Sequence, residues 1–304
     1  MQRIYDRPPT ELRARIPLPT REFGIFHGRS RSPVRRHLFG GSLWGMSTAI
    51  SADAVPIHYE VTGSGVPALV LVHGWSCDLT YWREQVDALG AKHRVVALDL
   101  AGHGDSGDGR ATWDLQSFGS DVVAVVEQLD LDDVVLVGHS FGGDAVTAAA
   151  AHLGDRVRGL VWVDTYGTLG ELDDPAELEA FHARFLADFA GETHAFASGL
   201  IGSPGLERLG WVADDMASAP PATALAVLRV AIGAEAAILT LLPAMAGLPV
   251  IAINGGQRPS DEDNLAAHGV ELEDMPGLGH FPMLEDPERF NELLEEVVAR
   301  LPPR

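Results

Sequence analysis

Residues 134–143 read Val-Val-Leu-Val-Gly-His-Ser-Phe-Gly-Gly, and this stretch determines how the rest of the chain is interpreted. Its four aliphatic residues predict a short buried strand, and the alanine-rich segment 144–151 that follows predicts a helix. Between them, Gly138-x-Ser140-x-Gly142 provides the strand–turn–helix context of a nucleophile elbow. The two glycines lack a Cβ and leave room for a strained turn that projects the Ser140 hydroxyl out of the sheet.

The composition narrows the class of protein. A chain of 304 residues with 46% hydrophobic residues fits one large α/β domain with an insertion, and no apolar run is long enough to span a membrane. The formal net charge of −21 disfavours nucleic acid and membranes as partners. A single cysteine, Cys77, cannot form an intramolecular disulfide and suits a cytoplasmic location. Because no Cys/His cluster has zinc spacing, we expect no metal and no other cofactor. The oligomeric state stays open.

Residues 1–45 differ in composition from the rest of the chain. They hold nine Arg against three Asp or Glu, a net charge of +6, which leaves −27 for residues 46–304. The arginine pair at 35–36 and the small residues at 52–54 faintly resemble a twin-arginine export signal and its cleavage site. Cleavage there would cut inside the first predicted β-hairpin. We therefore expect a disordered or spurious extension, with the folded protein starting near Met46.

Strand and helix patterns alternate along the rest of the chain. Predominantly apolar runs, as expected for strands covered by helices on both faces, occur at 68–72, 94–98, 134–137 and 157–163. They predict a mostly parallel, doubly wound sheet, edged by an antiparallel hairpin of Ser47–Ser51 and Ile57–Val61. Ligands of such sheets bind at the carboxyl ends of the strands, where four polar residues are expected: His73, Asp99, Ser140 and Asp164.

Residues 166–245 interrupt this alternation. Several helical patterns fill the segment, and one of them, Pro175–Phe189, places four apolar side chains on one face: Leu178, Phe181, Phe185 and Phe189. The alternation resumes with a predicted strand over 248–253. We therefore expect an α/β core formed by 46–165 and 246–304, with 166–245 inserted as a helical cap.

Four motifs follow one another along this core: His73-Gly74, Asp99-x-x-Gly102-x-Gly104-x-Ser106, Gly138-His139-Ser140-Phe141-Gly142 and Gly277-Leu278-Gly279-His280-Phe281. With these motifs, the chain from about Met46 to Leu301 resembles the α/β-hydrolase superfamily, in its branch of cap-containing serine hydrolases and esterases. The resemblance implies that Ser140 is the nucleophile and His280 the general base.

The same resemblance implies which groups surround the nucleophile. The backbone amides of Trp75 and Phe141 would form an oxyanion hole, and both residues would line the substrate site together with His73 and Gly74. The predicted helix after the elbow adds its positive end beside Phe141, which favours a developing negative charge.

Chemistry supports the choice of base independently of the resemblance. A serine hydroxyl is a weak nucleophile until a base removes its proton, and histidine is suited to that task near neutral pH. His280 lies in a Gly-Leu-Gly-His-Phe-Pro loop ahead of a helix, where a polar side chain can reach the site. His139 inside the elbow, His73 and His103 are expected to support the surrounding loops.

The acid of the triad is where the sequence departs from the family pattern. The family commonly places an Asp three residues after a Gly that follows the next-to-last strand, but counting from Gly255 this position is Arg258. A cation cannot orient the base or stabilise an imidazolium. Asp164, at the end of the strand after the elbow strand, is the predicted acid. Asp261 is the alternative, although it has the position of a helix N-cap, and Asp263 stays open.

Together these features predict a serine hydrolase that cleaves an ester, lactone or similar acyl bond of a small, mainly apolar molecule through an acyl-enzyme. Carbon–carbon bond hydrolysis and cofactor-free perhydrolysis remain alternatives, because both use the same triad. A non-catalytic ligand-binding homologue is an alternative of another class, favoured by the missing acid at the usual position. Dehalogenase and epoxide hydrolase chemistry is disfavoured because those relatives carry Asp in the place of Ser140.

Overall fold

The computed structural model describes residues 47–172, 174–202 and 206–303. Segment 1–45 and the expected start at Met46 lie outside the described residues, so the expectations for them stay predictions. Within the described part, eight strands form one sheet: β1 (Ser47–Ile50), β2 (Pro56–Thr62), β3 (Ala68–Val72), β4 (Arg94–Leu98), β5 (Val134–His139), β6 (Val157–Val163), β7 (Val250–Gly255) and β8 (Val270–Met275).

The sheet is antiparallel at one edge and parallel elsewhere. Its strand order is β1-β2-β4-β3-β5-β6-β7-β8, with antiparallel pairing of β1 with β2 and of β2 with β4. Every pair from β4 across to β8 is parallel, which confirms the predicted mostly parallel α/β sheet with its antiparallel hairpin. Because β3, β5 and β6 are neighbours, the residues after them (the loop from His73, Ser140 and Asp164) meet at one edge of the sheet.

Eleven α-helices accompany this sheet in the described part: α1 (Arg83–Leu89), α2 (Leu115–Gln128), α3 (Phe141–Leu153), α4 (Pro175–Ala187), α5 (Phe189–Leu200), α6 (Leu206–Ala217), α7 (Pro221–Ala231), α8 (Glu235–Leu241), α9 (Glu262–Ala267), α10 (Pro282–Glu285) and α11 (Pro287–Arg300). Local sequence explains their starts; Asp114, for example, caps α2 by accepting a hydrogen bond from the Ser117 amide at 2.8 Å. No single helix among the described residues is long and apolar enough to cross a membrane, and α7 with 235–245 reaches that length only across a 49° bend.

Burial of the central strands stabilises the core and fixes the site. Every residue of β3 and β5 is buried, and α2 adds Phe118, Val122 and Val125 to the same core. Each fully buried aliphatic or aromatic side chain of this kind contributes about 1.5–3 kcal/mol. Ser140 therefore follows directly on a fully buried strand, which supports it rigidly.

In the part of segment 166–245 that the structure describes, five helices (α4 to α8) lie between β6 and β7, where the sequence predicts the helical insertion. The single helix predicted over Pro175–Phe189 is wrong at its end, because α4 stops at Ala187 and α5 begins at Phe189. Asp188 causes the break: its backbone is non-helical (φ −150°), and its carboxylate caps α5 by accepting from the Gly191 amide at 3.1 Å.

Candidate active site

The turn after β5 holds Ser140 in a strained conformation. Ser140 has φ 51° and ψ −123°, in a region that non-glycine residues rarely occupy, and its side chain stays partly exposed. A Cβ added to Gly138 would lie 2.3 Å from the Gly142 carbonyl oxygen, and one on Gly142 would lie 2.4 Å from that of Val72. Both glycines are therefore required by close backbone approach, as a nucleophile elbow demands.

His280 and Asp164 meet beside this elbow. The Nδ1 atom of His280 donates a hydrogen bond to Oδ2 of Asp164 at 2.5 Å, and both side chains are nearly buried. Asp164 follows β6 directly and has a positive φ of 46°, and its side chain reaches His280. The His280 amide donates to the Leu200 carbonyl at 2.8 Å, which fixes the loop that carries the ring.

The Asp164 carboxylate accepts three hydrogen bonds from the described residues. Besides His280, the amide of Gly255 donates to Oδ1 at 2.9 Å, and Nη2 of Arg258 donates to Oδ2 at 2.9 Å. Burial alone would raise the pKa of Asp164, but donation from His280 and Arg258 outweighs it and holds the pKa well below its usual range. The carboxylate is therefore ionised and oriented.

The other two candidate acids lie elsewhere. Asp261 is exposed and is the N-cap of α9, where its Oδ1 accepts from the Asn264 amide at 3.0 Å. Asp263 is exposed in the first turn of the same helix, where the helix dipole accounts for a carboxylate. The structure thus brings Asp164 together with His280, whereas Asp261 and Asp263 have structural roles in α9.

Two buried histidines shape the loop that follows β3. His73 donates from Nδ1 to the Gly74 carbonyl at 2.8 Å and accepts at Nε2 from the Leu100 amide at 3.1 Å, while Nε2 of His103 accepts from the Ser76 amide at 3.2 Å. Burial lowers the pKa of His73 to about 3 and that of His103 to about 4, so both rings are neutral. The His73 side chain is fully buried, and both of its ring nitrogens bond backbone groups of the surrounding loops; its place in the substrate site stays a prediction.

The loop after β3 approaches the elbow closely. A Cβ added to Gly74 would lie 2.9 Å from the ring of His139 and 3.2 Å from the Cβ of Ser140. Trp75 follows Gly74 in this loop, and Phe141 is the first residue of α3, where an amide has no acceptor within its own helix. The amides of Trp75 and Phe141 thus belong to the two segments that border Ser140.

His139 links the elbow to His280. Its Nε2 donates to the carbonyl oxygen of His280 at 2.8 Å, and the two ring centroids are 4.7 Å apart. Burial lowers the pKa of His139 to about 3, so this ring remains neutral and acts as a support. The residue before Ser140 therefore holds the backbone of His280 directly.

Glu285 is a residue near the site that the sequence analysis missed. This buried carboxylate accepts from the amides of Gly279 at 2.8 Å and Phe281 at 3.2 Å, which flank His280, and from the amide of Gly202 at 3.0 Å after α5. Glu285 therefore joins the loop that carries His280 to the helical insertion. The sequence indicates this role of Glu285 only weakly, through its position in a short helix five residues after His280.

Trp75 connects the loop after β3 to the helical insertion. Its indole nitrogen donates to the Ala224 carbonyl of α7 at 2.7 Å. Its ring meets Phe185 edge-on at 5.6 Å between centroids, and Phe189 and Phe196 at 6.3 Å each. The insertion thus covers this side of the site with aromatic side chains.

A second residue that the sequence analysis missed lies in the first turn of α3. Asp144 is buried, and its Oδ1 accepts a hydrogen bond from the Tyr166 hydroxyl at 2.5 Å. Burial raises the pKa of Asp144 to about 8, more than the Tyr166 hydrogen bond lowers it. This carboxyl is therefore largely protonated at neutral pH.

Among the described residues, no group of three or more His, Cys, Asp or Glu is arranged to hold a metal ion.

The strand order, the elbow and the His–Asp pair define a class of protein, and comparison with known proteins agrees. Residues 69–293 match the model of the Alpha/beta hydrolase family, so the chain belongs to this family and is an α/β-hydrolase enzyme.

Individual relatives extend the comparison. The chain is 38% identical over 125 residues to the dihydrolipoyllysine-residue acetyltransferase component of the acetoin cleaving system of Pseudomonas putida, covering 41% of this chain and 34% of that protein. It is 33% identical over 157 residues to the pimeloyl-[acyl-carrier protein] methyl ester esterase of Vibrio atlanticus, covering 49% of this chain and 58% of that protein. The structure of esterase RhEst1 from Rhodococcus sp. ECU1013 is similar with a TM-score of 0.68 and 25% identity, covering 84% of this chain and 99% of that chain. The matches to both curated relatives span less than two thirds of their length.

Proposed function

We propose that this protein is a serine carboxylic ester hydrolase, which cleaves an ester, lactone or similar acyl bond of a small, mainly apolar molecule through an acyl-enzyme on Ser140. The observation that carries the proposal is the 2.5 Å hydrogen bond from His280 to Asp164 beside the strained turn of Ser140. The relatives named as esterases support the same chemistry.

In the first half of the reaction, His280 acts as the base. Nδ1 of His280 carries the ring proton and donates it in the hydrogen bond to Asp164, so Nε2 has a free lone pair. Nε2 takes the hydroxyl proton of Ser140 as Oγ attacks the substrate carbonyl carbon. The amides of Trp75 and Phe141 donate to the oxyanion that forms. The tetrahedral intermediate then breaks its bond to the leaving oxygen, which receives the proton from Nε2.

In the second half, water replaces the alcohol. Nε2 of His280 removes a proton from a water molecule, whose oxygen attacks the acyl carbon on Ser140. The bond to Oγ breaks, Oγ takes the proton back from Nε2, and the carboxylic acid leaves. Asp164 remains ionised throughout, orients the ring and stabilises the imidazolium in both halves.

The aromatic contacts of the helical insertion support an apolar substrate. Trp75 belongs at once to the oxyanion loop and to the aromatic cluster with Phe185 and Phe196. An acyl or alcohol group bound between this cluster and Ser140 would bury apolar surface, and each buried methylene group would contribute about 0.8 kcal/mol.

The test is turnover of p-nitrophenyl esters of increasing acyl length. We expect measurable hydrolysis, labelling by a fluorophosphonate probe, and a loss of at least about a thousandfold in kcat for Ser140→Ala. Ser120→Ala, which removes an exposed hydroxyl that bonds the Gln116 carbonyl on α2, serves as the matched control and keeps full activity. Retention of more than a few per cent of kcat by Ser140→Ala would contradict the serine mechanism. An unlabelled protein without turnover would favour a ligand-binding role.

A further inference from the structure

Arg258 is a cation that contacts both His280 and Asp164, and the proposed mechanism gives it no role. It stands where the family commonly places the acid, yet its Nη2 donates to Oδ2 of Asp164 at 2.9 Å and lies 3.1 Å from Nδ1 of His280. The Arg258 side chain is 38% exposed, whereas that of Asp164 is 7% exposed.

We propose that Arg258 is a positioning residue of the triad, which clamps the Asp164 carboxylate onto His280 and whose own charge is tolerated only because that carboxylate is present. This inference rests on the proposed function, since it assigns a role within the same triad. The proposed role can be distinguished from that of a structural ion pair. Under the proposal, Arg258 raises turnover while Asp164 is charged and lowers turnover once Asp164 has lost its charge.

The clamp follows from the hydrogen-bond geometry. Nη2 of Arg258 and protonated Nδ1 of His280 are both donors, so they do not bond each other and instead converge on one acceptor, Oδ2 of Asp164. Oδ1 of the same carboxylate is held by the Gly255 amide at 2.9 Å. With both oxygens engaged, the plane of the carboxylate is fixed, and charge-assisted bonds of this kind are shorter and stronger than neutral ones.

The loop that carries Arg258 is tied to the loop that carries the base. The amide of Gln257 donates to the Leu278 carbonyl at 3.0 Å, and its side-chain amide reaches the Gly199 carbonyl of α5 at 3.3 Å. Arg258 is therefore presented to Asp164 from a segment that is anchored two residues before His280. A surface ion pair on a free loop would lack this anchoring.

Charge explains why the clamp is conditional. During turnover His280 becomes an imidazolium, so two cations, with 3.1 Å between their nearest nitrogen atoms, share one carboxylate. The negative charge of Asp164 between them makes this arrangement favourable. Without that charge, the Arg258 guanidinium opposes formation of the imidazolium, because like charges at this separation repel strongly in a partly buried site.

A double-mutant cycle tests the proposal on the full-length enzyme with a p-nitrophenyl ester. We expect Arg258→Met to lower kcat about three- to tenfold with KM changed less than about twofold, and Arg258→Lys to restore most of kcat because it keeps the charge. In the Asp164→Asn background, Arg258→Met should instead raise kcat by about fivefold or more, because the unpaired cation is removed. Arg300→Met is the matched control, since Arg300 is 42% exposed and pairs with Glu271 and Glu273.

The measurements distinguish failure of the proposed role of Arg258 from failure of the proposed function. If Arg258→Met lowers kcat by the same factor in both backgrounds, or changes it in neither, the proposed role of Arg258 is overturned. Thermal melts identify a variant that fails to fold. If Arg258→Met fails to fold, Arg258→Gln, which removes the charge but keeps an N–H donor, takes its place with the same expected results. Should the wild-type protein show neither ester turnover nor fluorophosphonate labelling, the proposed function itself has failed.

Discussion

Replacing Asp164 by Asn is the most informative single change at the site. The carboxylate accepts from three donors, on His280, Arg258 and the Gly255 amide, and it has no donor of its own. An asparagine amide must direct its NH2 group toward one of these donors in either orientation. If that group faces His280, Nδ1 becomes an acceptor, the ring proton moves to Nε2, and the base is blocked on the side of Ser140.

The expected loss is large because two effects act together. The wrong tautomer and the loss of a negative charge beside the imidazolium together lower kcat by on the order of 10²–10⁴-fold, which corresponds to about 3–5 kcal/mol in the activation free energy. KM should change little, since Asp164 lies behind His280 and away from the substrate. The assay is steady-state hydrolysis of a p-nitrophenyl ester at neutral pH, with a thermal melt to establish that the variant is folded.

Asp261→Asn provides the matched control. Asp261 caps α9 from an exposed position, and Asn is an equally good N-cap, so kcat should change less than about tenfold. Asp164→Asn activity within about tenfold of wild type, or a greater loss in Asp261→Asn, would refute the assignment and move the acid to the loop after β7.

Three further predictions concern buried carboxylates of the domain. Burial raises the pKa of Asp144 to about 8, so the folded protein retains a proton that the unfolded chain releases above about pH 4, and the free energy of unfolding falls as pH rises between these values. Asp144→Asn should abolish that fall, so urea melts should show it gaining on the order of 1–3 kcal/mol over wild type between pH 5 and pH 8; an equal pH dependence in both proteins would contradict this. Arg110→Met leaves the fully buried Asp121 without its cation and should cost about 3 kcal/mol in a denaturant melt, whereas unchanged stability would show that the pair is dispensable. Glu285→Gln weakens the acceptor that holds both neighbours of His280, so it should lower kcat about tenfold at nearly constant KM. A change in KM alone would contradict this and would show that Glu285 acts through the helical insertion.

Local sequence patterns were sufficient for the scaffold but not for the contacts between distant segments. The strands carrying Ser140 and Asp164 could be predicted because apolar runs and turn residues are local signals, and parallel pairing places their carboxyl ends together. The donation of Arg258 to Asp164 depends on how two loops 94 residues apart approach each other, which no local pattern encodes. The helix break at Asp188 was missed for a related reason, since a capping Asp inside a helical periodicity reads as an ordinary polar position.

The central claim is that Ser140 forms a covalent acyl-enzyme. The most direct measurement is an acid quench during the first turnovers of p-nitrophenyl acetate, followed by mass spectrometry of the intact protein and its peptides. The account predicts the mass of one acetyl group on the peptide that contains Ser140, absent in Ser140→Ala and accumulating with the initial burst of p-nitrophenol. Turnover without an acylated peptide, or an acetyl group on another residue that turns over at the rate of the reaction, would contradict it.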